Sequence, residues 1–177
     1  SAPKNHFALA HDASSHLLLA GGIGVTPLLC MAERLAHAGA DFEMHYCTRS
    51  PARTAFRERI AAAPFAARVA FHFDDGAATQ KLDIAAVLGA QPAGTHLYVC
   101  GPKGFMDAVL AAARANGWPE GRIHFEFFGA EVQAQADGLA GLQAAQQHGP
   151  WDLILLDLRL PGLGGLDVCR ALRQAGD

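Results

Sequence analysis

A doubly wound α/β fold, a parallel five-stranded sheet with helices on both faces, is what this sequence predicts, and three observations predict it. Strand-length runs of apolar or alternating residues recur five times with helical stretches between them. Two of these runs, at 17–20 and 97–100, break directly into glycine turns that open amphipathic helices, the pattern of a buried parallel strand passing into a helix. Right-handed crossovers between parallel strands leave few other arrangements. The chain's 177 residues, 51% hydrophobic and 18% charged, are enough for such a core.

Residues 1–15 read as an irregular lead-in, because Asn5, Asp12, Ser14 and Ser15 favour turns over a packed element. The first strand begins near His16 and runs into Gly21, Gly22, Ile23 and Gly24. The following helix carries Pro27 in its first turn, where the missing N–H costs nothing, and stops at Gly39. Its N-terminus offers unpaired N–H groups and a positive dipole end that suit a pyrophosphate. A tight strand–helix connection explains the same glycines, and their spacing is not the G-x-G-x-x-G fingerprint. Residues 42–48 alternate as a second strand. Arg49, Ser50, Pro51, Ala52 and Arg53 then stand at the carboxyl end of that strand, where open α/β sheets bind ligands. They read either as contacts for the adenosine end of a dinucleotide or as a solvated loop. A short helix at 56–60 leads to a third strand at 69–73, and Asp74-Asp75-Gly76 reads as a turn rather than a metal site. A helix at 83–88 ends at Gly89, and a fourth strand at 95–100 enters Gly101, Pro102, Lys103 and Gly104 before a helix at 105–115. In a parallel sheet both glycine turns open on one edge. A fifth strand covers 123–128.

The net charge of −3 and nine scattered histidines provide no basic stripe for nucleic acid or an anionic membrane. No apolar run has membrane-spanning length, and the start lacks a signal peptide's features, so a cytoplasmic location is expected. Cys30, Cys47, Cys100 and Cys169 show no metal-ligand spacing and read as free thiols.

Leu-Ala-Gly-Gly-Ile-Gly-Val-Thr-Pro at 19–27, Tyr-Cys-Thr-Arg-Ser at 46–50, Tyr-Val-Cys-Gly-Pro-Lys at 98–103 and His-Phe-Glu-Phe-Phe-Gly at 124–129 together resemble the NAD-binding domain of ferredoxin reductase-like flavoproteins. They are most similar to reductases of the phthalate dioxygenase and vanillate demethylase type. The resemblance covers residues 1–130 and implies a flavodoxin- or Rossmann-like domain that binds NADH across the carboxyl edge of the sheet. It also implies that the nicotinamide faces FMN held by another domain, from which electrons pass to a [2Fe-2S] domain and an oxygenase. Carried onto this sequence, Gly22, Ile23, Gly24 and Thr26 hold the pyrophosphate and nicotinamide side, and Arg49 and Ser50 meet the adenosine ribose. Cys100, Gly101 and Pro102 lie beside the nicotinamide, while Glu126, Phe127 and Phe128 approach the flavin-facing pocket. From the residues alone, Cys100 is equally a small buried thiol and the two phenylalanines core or interface. Glu126, a carboxylate between aromatics, needs a partner or exposure. NADH is favoured by the resemblance, although Arg49, Ser50 and Arg53 would also suit a 2′-phosphate. Because the chain supplies neither a flavin barrel nor closely spaced cluster cysteines, the module is expected not to turn over alone.

Residues 131–177 resemble part of a response-regulator receiver domain, with a helix at 138–147, a strand at 153–158, and a helix at 166–174. The resemblance makes Asp157 the phosphoacceptor, but the acidic pair for magnesium and the hydroxyl and lysine switch residues have no counterpart, so phosphorylation is not expected. The apolar run 153–156 is expected to join the edge of the first sheet in parallel, or to swap into a homodimer. The second reading of the whole is an engineered or rearranged chimeric α/β scaffold without catalytic activity.

Overall fold

The computed structural model describes residues 7–127, 135–148 and 154–175. The chain divides into two compact units, Ser1–Phe128 and Gly129–Asp177. In the first, β1 (Ser15–Gly21) passes through a 3-10 turn at Gly22–Gly24 into α1 (Val25–His37). There follow β2 (Phe42–Thr48), α2 (Arg57–Ala61), β3 (Val69–Phe73), α3 (Ile84–Gly89), β4 (Thr95–Cys100), α4 (Lys103–Ala115) and β5 (Ile123–Glu126). The strands form one sheet in the order β3-β2-β1-β4-β5, every neighbouring pair parallel. The predicted fold class is therefore the observed one.

The strand sequences explain the layering. β1 and β4 are buried along their lengths because helices cover both faces. On one face Leu18, Ala20, Met44, Tyr46, Tyr98 and Cys100 pack with Val25, Leu28, Leu29, Ala32 and Leu35 of α1. On the other, Leu17, Leu19, Leu97, Val99 and Ile123 pack with Leu88 of α3 and Met106, Val109 and Leu110 of α4. The helical residues recur at intervals of three and four, giving each helix a single apolar stripe. Each large side chain so buried contributes about 1.5–3 kcal/mol.

The lead-in is irregular over its described residues 7–14, as expected, but it is packed. Phe7 is buried against Tyr98 with ring centroids 6.0 Å apart, and the Ala10 amide donates to the Tyr98 hydroxyl at 2.8 Å. An aromatic at position 7 and a buried phenol needing a partner anchor the segment without giving it regular structure. Two cross-strand histidine pairs were equally unread. His45 Nδ1 meets His72 Nε2 at 2.9 Å, and His96 Nδ1 meets His124 Nε2 at 2.9 Å. Adjacent strands place the two rings of each pair side by side, His45 and His72 on the α3 and α4 face and His96 and His124 on the α1 face, where they stack.

In the second unit, α5 (Gly138–His148) and α6 (Gly165–Ala175) are present. Asp137 Oδ1 caps the first by accepting from the amides of Leu139 and Ala140 at 2.8 and 3.0 Å. The strand expected at 153–158 is not formed across its described residues 154–158. Asp157 Oδ1 instead accepts from the Arg159 amide at 3.0 Å, and Pro161 O accepts from the Gly138 amide at 2.9 Å. Local side-chain and loop hydrogen bonds take the place of a ladder, and apolar content alone does not supply a strand with a partner. Leu155 is left 86% exposed.

Burial holds the pKa values of His72, His96 and His124 below the ordinary histidine range; the charge of His45 adds to the effect at His72 and that of His96 at His124. A depressed histidine binds its proton more readily in the unfolded chain, so its contribution is present above about pH 6.5 and is lost as pH falls toward the folded value. Thermal melts of the full chain should show the first unit's midpoint falling from pH 7.5 to 5.5. Replacing both His96 and His124 by Gln should flatten that profile.

Candidate functional site

The order β3-β2-β1-β4-β5 reverses direction between β1 and β4, and in an open parallel sheet the crevice at that reversal is where ligands enter. Both glycine turns lie there, and they are locked together. A Cβ at Gly24 would strike the carbonyl group of Cys100 and come within 2.6 Å of the Gly101 nitrogen. A Cβ at Gly101 would lie 2.9 Å from Gly21 Cα and 2.8 Å from the Phe105 ring. Gly24 is thus required by the close approach of two backbones. Gly22 differs: its φ is +53° and nothing lies within 4 Å of the position a Cβ would take. Its face is open, and beside it Ile23 is 64% exposed. The Thr26 hydroxyl donates to Ile23 O at 3.1 Å, closing the first turn of α1.

Strand β2 delivers Arg49 and Ser50 to the same edge. Arg49 is exposed, and Ser50 O accepts from the Arg53 amide, the Thr54 hydroxyl and the Thr48 hydroxyl at 3.0, 3.0 and 3.3 Å. The loop is therefore built, not slack. At the far side Cys100 pairs in register with Ala20 and with Glu126. The Cys100 side chain has no exposed surface and belongs to the core beneath α1. Burial, and secondarily the Glu126 carboxylate, pushes its thiol up to about 11. It remains protonated at neutral pH and is no nucleophile. The Cys47 thiol, pushed up to about 12 by burial and then by Asp74, is equally inert. Glu126 is half-buried at the end of β5, and Phe127, 47% exposed, stacks edge-on against Phe125 at 5.4 Å between centroids.

The structure thus gathers Gly22, Ile23, Gly24, Thr26, Arg49, Ser50, Cys100, Gly101, Pro102, Glu126 and Phe127 along one edge. Phe128 lies outside the described residues, and Asp157 belongs to the second unit. Ile23, Phe56, Phe125 and Phe127, the exposed large apolar side chains among the described residues of the first unit, stand at or beside this edge. Phe56 was not singled out from sequence. It is the non-glycine residue with positive φ (+58°) among the described residues, and it lines a cleft of about 590 Å³ with Pro51, Thr54 and Arg57. Phenylalanine carries no signal for a left-handed backbone, so its outward placement was not readable. Among the described residues no group of three His, Cys, Asp or Glu side chains is placed to hold a metal, and no helix is long and apolar enough to cross a membrane.

The five-stranded parallel α/β fold is shared with reductases of oxygenase systems. The chain belongs to the family described as dimethylamine monooxygenase subunit DmmA-like, N-terminal domain, whose sequence model matches residues 2–123. It is 56% identical over 144 residues to vanillate O-demethylase oxidoreductase of Pseudomonas putida, covering 81% of this chain and 45% of that protein. With phthalate dioxygenase reductase of Burkholderia cepacia it shares 40% identity over 131 residues, or 73% of this chain and 40% of the other. The solved phthalate dioxygenase reductase, described as a modular structure for electron transfer from pyridine nucleotides to [2Fe-2S], superposes with a TM-score of 0.66 at 39% identity. That match covers 74% of this chain and 40% of the other. The chain spans less than half the length of these curated relatives.

The two glycines of the first turn should respond differently to substitution. In urea unfolding, Gly24→Ala is expected to cost about 3 kcal/mol, since neither backbone can retreat. Gly22→Ala should cost only about 1 kcal/mol, the penalty of a left-handed alanine in open space.

Proposed function

We propose that this chain is the nicotinamide-dinucleotide-binding module of an oxygenase electron-transfer reductase, taking NADH along the carboxyl edge of its sheet. The observation that carries this reading is the open backbone face at Gly22. A locked pair of turns at the reversal point presents one glycine with no atom over it, leaving room for a pyrophosphate against the chain at the start of α1.

In this reading Gly22, Ile23, Gly24 and Thr26 hold the pyrophosphate and the nicotinamide side, while Arg49 and Ser50 meet the adenosine ribose. Cys100, Gly101 and Pro102 border the nicotinamide ring. The Cys100 thiol itself is kept neutral by its burial in the core beneath α1. Glu126 and Phe127 face a flavin held by another domain, and the resemblance assigns Phe128 to the same pocket. The nucleotide supplies the hydride and the flavin receives it, so the protein's part is to align the two rings and exclude water. Ile23 and Phe127 are suited to that exclusion, being apolar side chains left exposed where a second domain would cover them. The oxygenase-reductase names of the relatives support an oxygenase as the surrounding system, and the solved phthalate dioxygenase reductase, described as passing electrons from pyridine nucleotides to [2Fe-2S], supports a pyridine nucleotide as the ligand. The second unit is read as a receiver-like passenger, its Asp157 side chain tied to the Arg159 amide.

Calorimetric titration of the full chain with NADH tests the reading. Micromolar to submillimolar binding is expected, weakened at least tenfold by Gly22→Asn, which tolerates the left-handed backbone but fills the open face. No binding at millimolar NADH would overturn it. With NADH alone the chain should not reduce ferricyanide, whereas reduction of added FMN would identify retained hydride transfer.

A further inference from the structure

The cleft beside Phe56 stands apart from the glycine turns. Phe56 holds φ +58° and ψ 14°, a conformation unfavourable for any side chain with a Cβ and one usually given to glycine or asparagine. It stands immediately before α2 and contributes no side-chain cap to that helix. The Phe56 ring is 41% exposed. Strained residues with exposed functional faces concentrate where a ligand is held.

The surrounding loop keeps the ring in place. Ser50 O gathers three donors, and the Thr48 and Thr54 hydroxyls meet at 2.8 Å. Arg57, Glu58 and Arg59 line the cleft, Arg59 also donating to Glu33 of α1 at 2.6 Å, and Arg49 and Arg53 are exposed on the preceding loop. A flat apolar ring on a rigid loop, with guanidinium groups around it, matches a purine carrying a phosphate.

We propose that Phe56 is a positioning residue for the dinucleotide: its ring is the platform on which the adenine stacks, in the cleft walled by Pro51, Thr54 and Arg57. The inference rests on the dinucleotide reading above and extends it to a residue that makes no contact with the reacting nicotinamide. It predicts that the adenine half of the ligand, not the nicotinamide half, senses position 56.

The full chain is titrated with NADH, with AMP and with nicotinamide mononucleotide, as wild type, Phe56→Ala, Phe56→Gly and Phe56→Trp. Both truncations should weaken NADH and AMP about tenfold or more and leave nicotinamide mononucleotide unchanged. Phe56→Gly suits the left-handed backbone, so an unaltered or raised melting temperature for that variant separates loss of the ring from collapse of the loop. Phe56→Trp should restore affinity, and AMP should quench the fluorescence of the new indole above the wild-type background. If the truncated variants bind NADH and AMP as tightly as wild type, the platform is wrong while the dinucleotide reading stands. If wild-type protein binds neither NADH nor AMP at millimolar concentration, the dinucleotide reading itself is overturned and the platform with it.

Discussion

The carbonyl group of Cys100 occupies the space that a side chain at Gly24 would need, and the first unit's ligand edge depends on that contact. Because two turns meet backbone to backbone, the ends of β1 and β4 are drawn together at the point where the strand order reverses. The helices that follow begin side by side and then diverge to opposite faces, α1 over one cluster of apolar residues and α4 over the other. A crevice at the reversal is common to open parallel sheets, but here its floor is fixed by a steric fit rather than by side-chain packing. Preorganisation of that kind lets a small opening, the uncovered face of Gly22, serve a specific purpose without the loop having to be ordered by its ligand.

The same economy governs the polar groups. Among the described residues no buried side-chain nitrogen or oxygen lacks a partner. Tyr98, fully buried in the centre of the sheet, accepts from the Ala10 amide and stacks on His124 at 4.6 Å, so the chain entering the domain and the last strand are tied to one side chain. On the other face Gln91 donates to Glu43 Oε1 at 2.7 Å, and the same oxygen meets His45 Nε2 at 3.1 Å. These networks tie neighbouring strands together on both faces, while Ile23 and Phe127 stay exposed at the carboxyl edge.

Much of this was legible in the sequence. The strands at 42–48, 69–73 and 95–100 have the predicted bounds, because strictly alternating or wholly apolar runs between turn residues admit one reading. Both glycine turns and their shared edge followed from parallel topology. Three things were not legible. Gly24 and Gly22 look alike in sequence, and only the distance to Cys100 separates a packing glycine from an open one. The run at 153–158 has the composition of a strand, but a strand also needs a neighbour, which composition does not specify. Phe56 resembles any aromatic ahead of a short helix until its backbone angle is known.

A dinucleotide lying along the carboxyl edge, across both glycine turns, would perturb the amides it passes. Chemical-shift mapping of the 15N-labelled full chain during titration with NADH reads this out. Saturable shifts are expected at residues 21–26, 49–56 and 100–104, with residues 138–148 and 165–175 unmoved. Shifts centred on the amino ends of the strands or on the second unit, or none at all at saturating NADH, would contradict it.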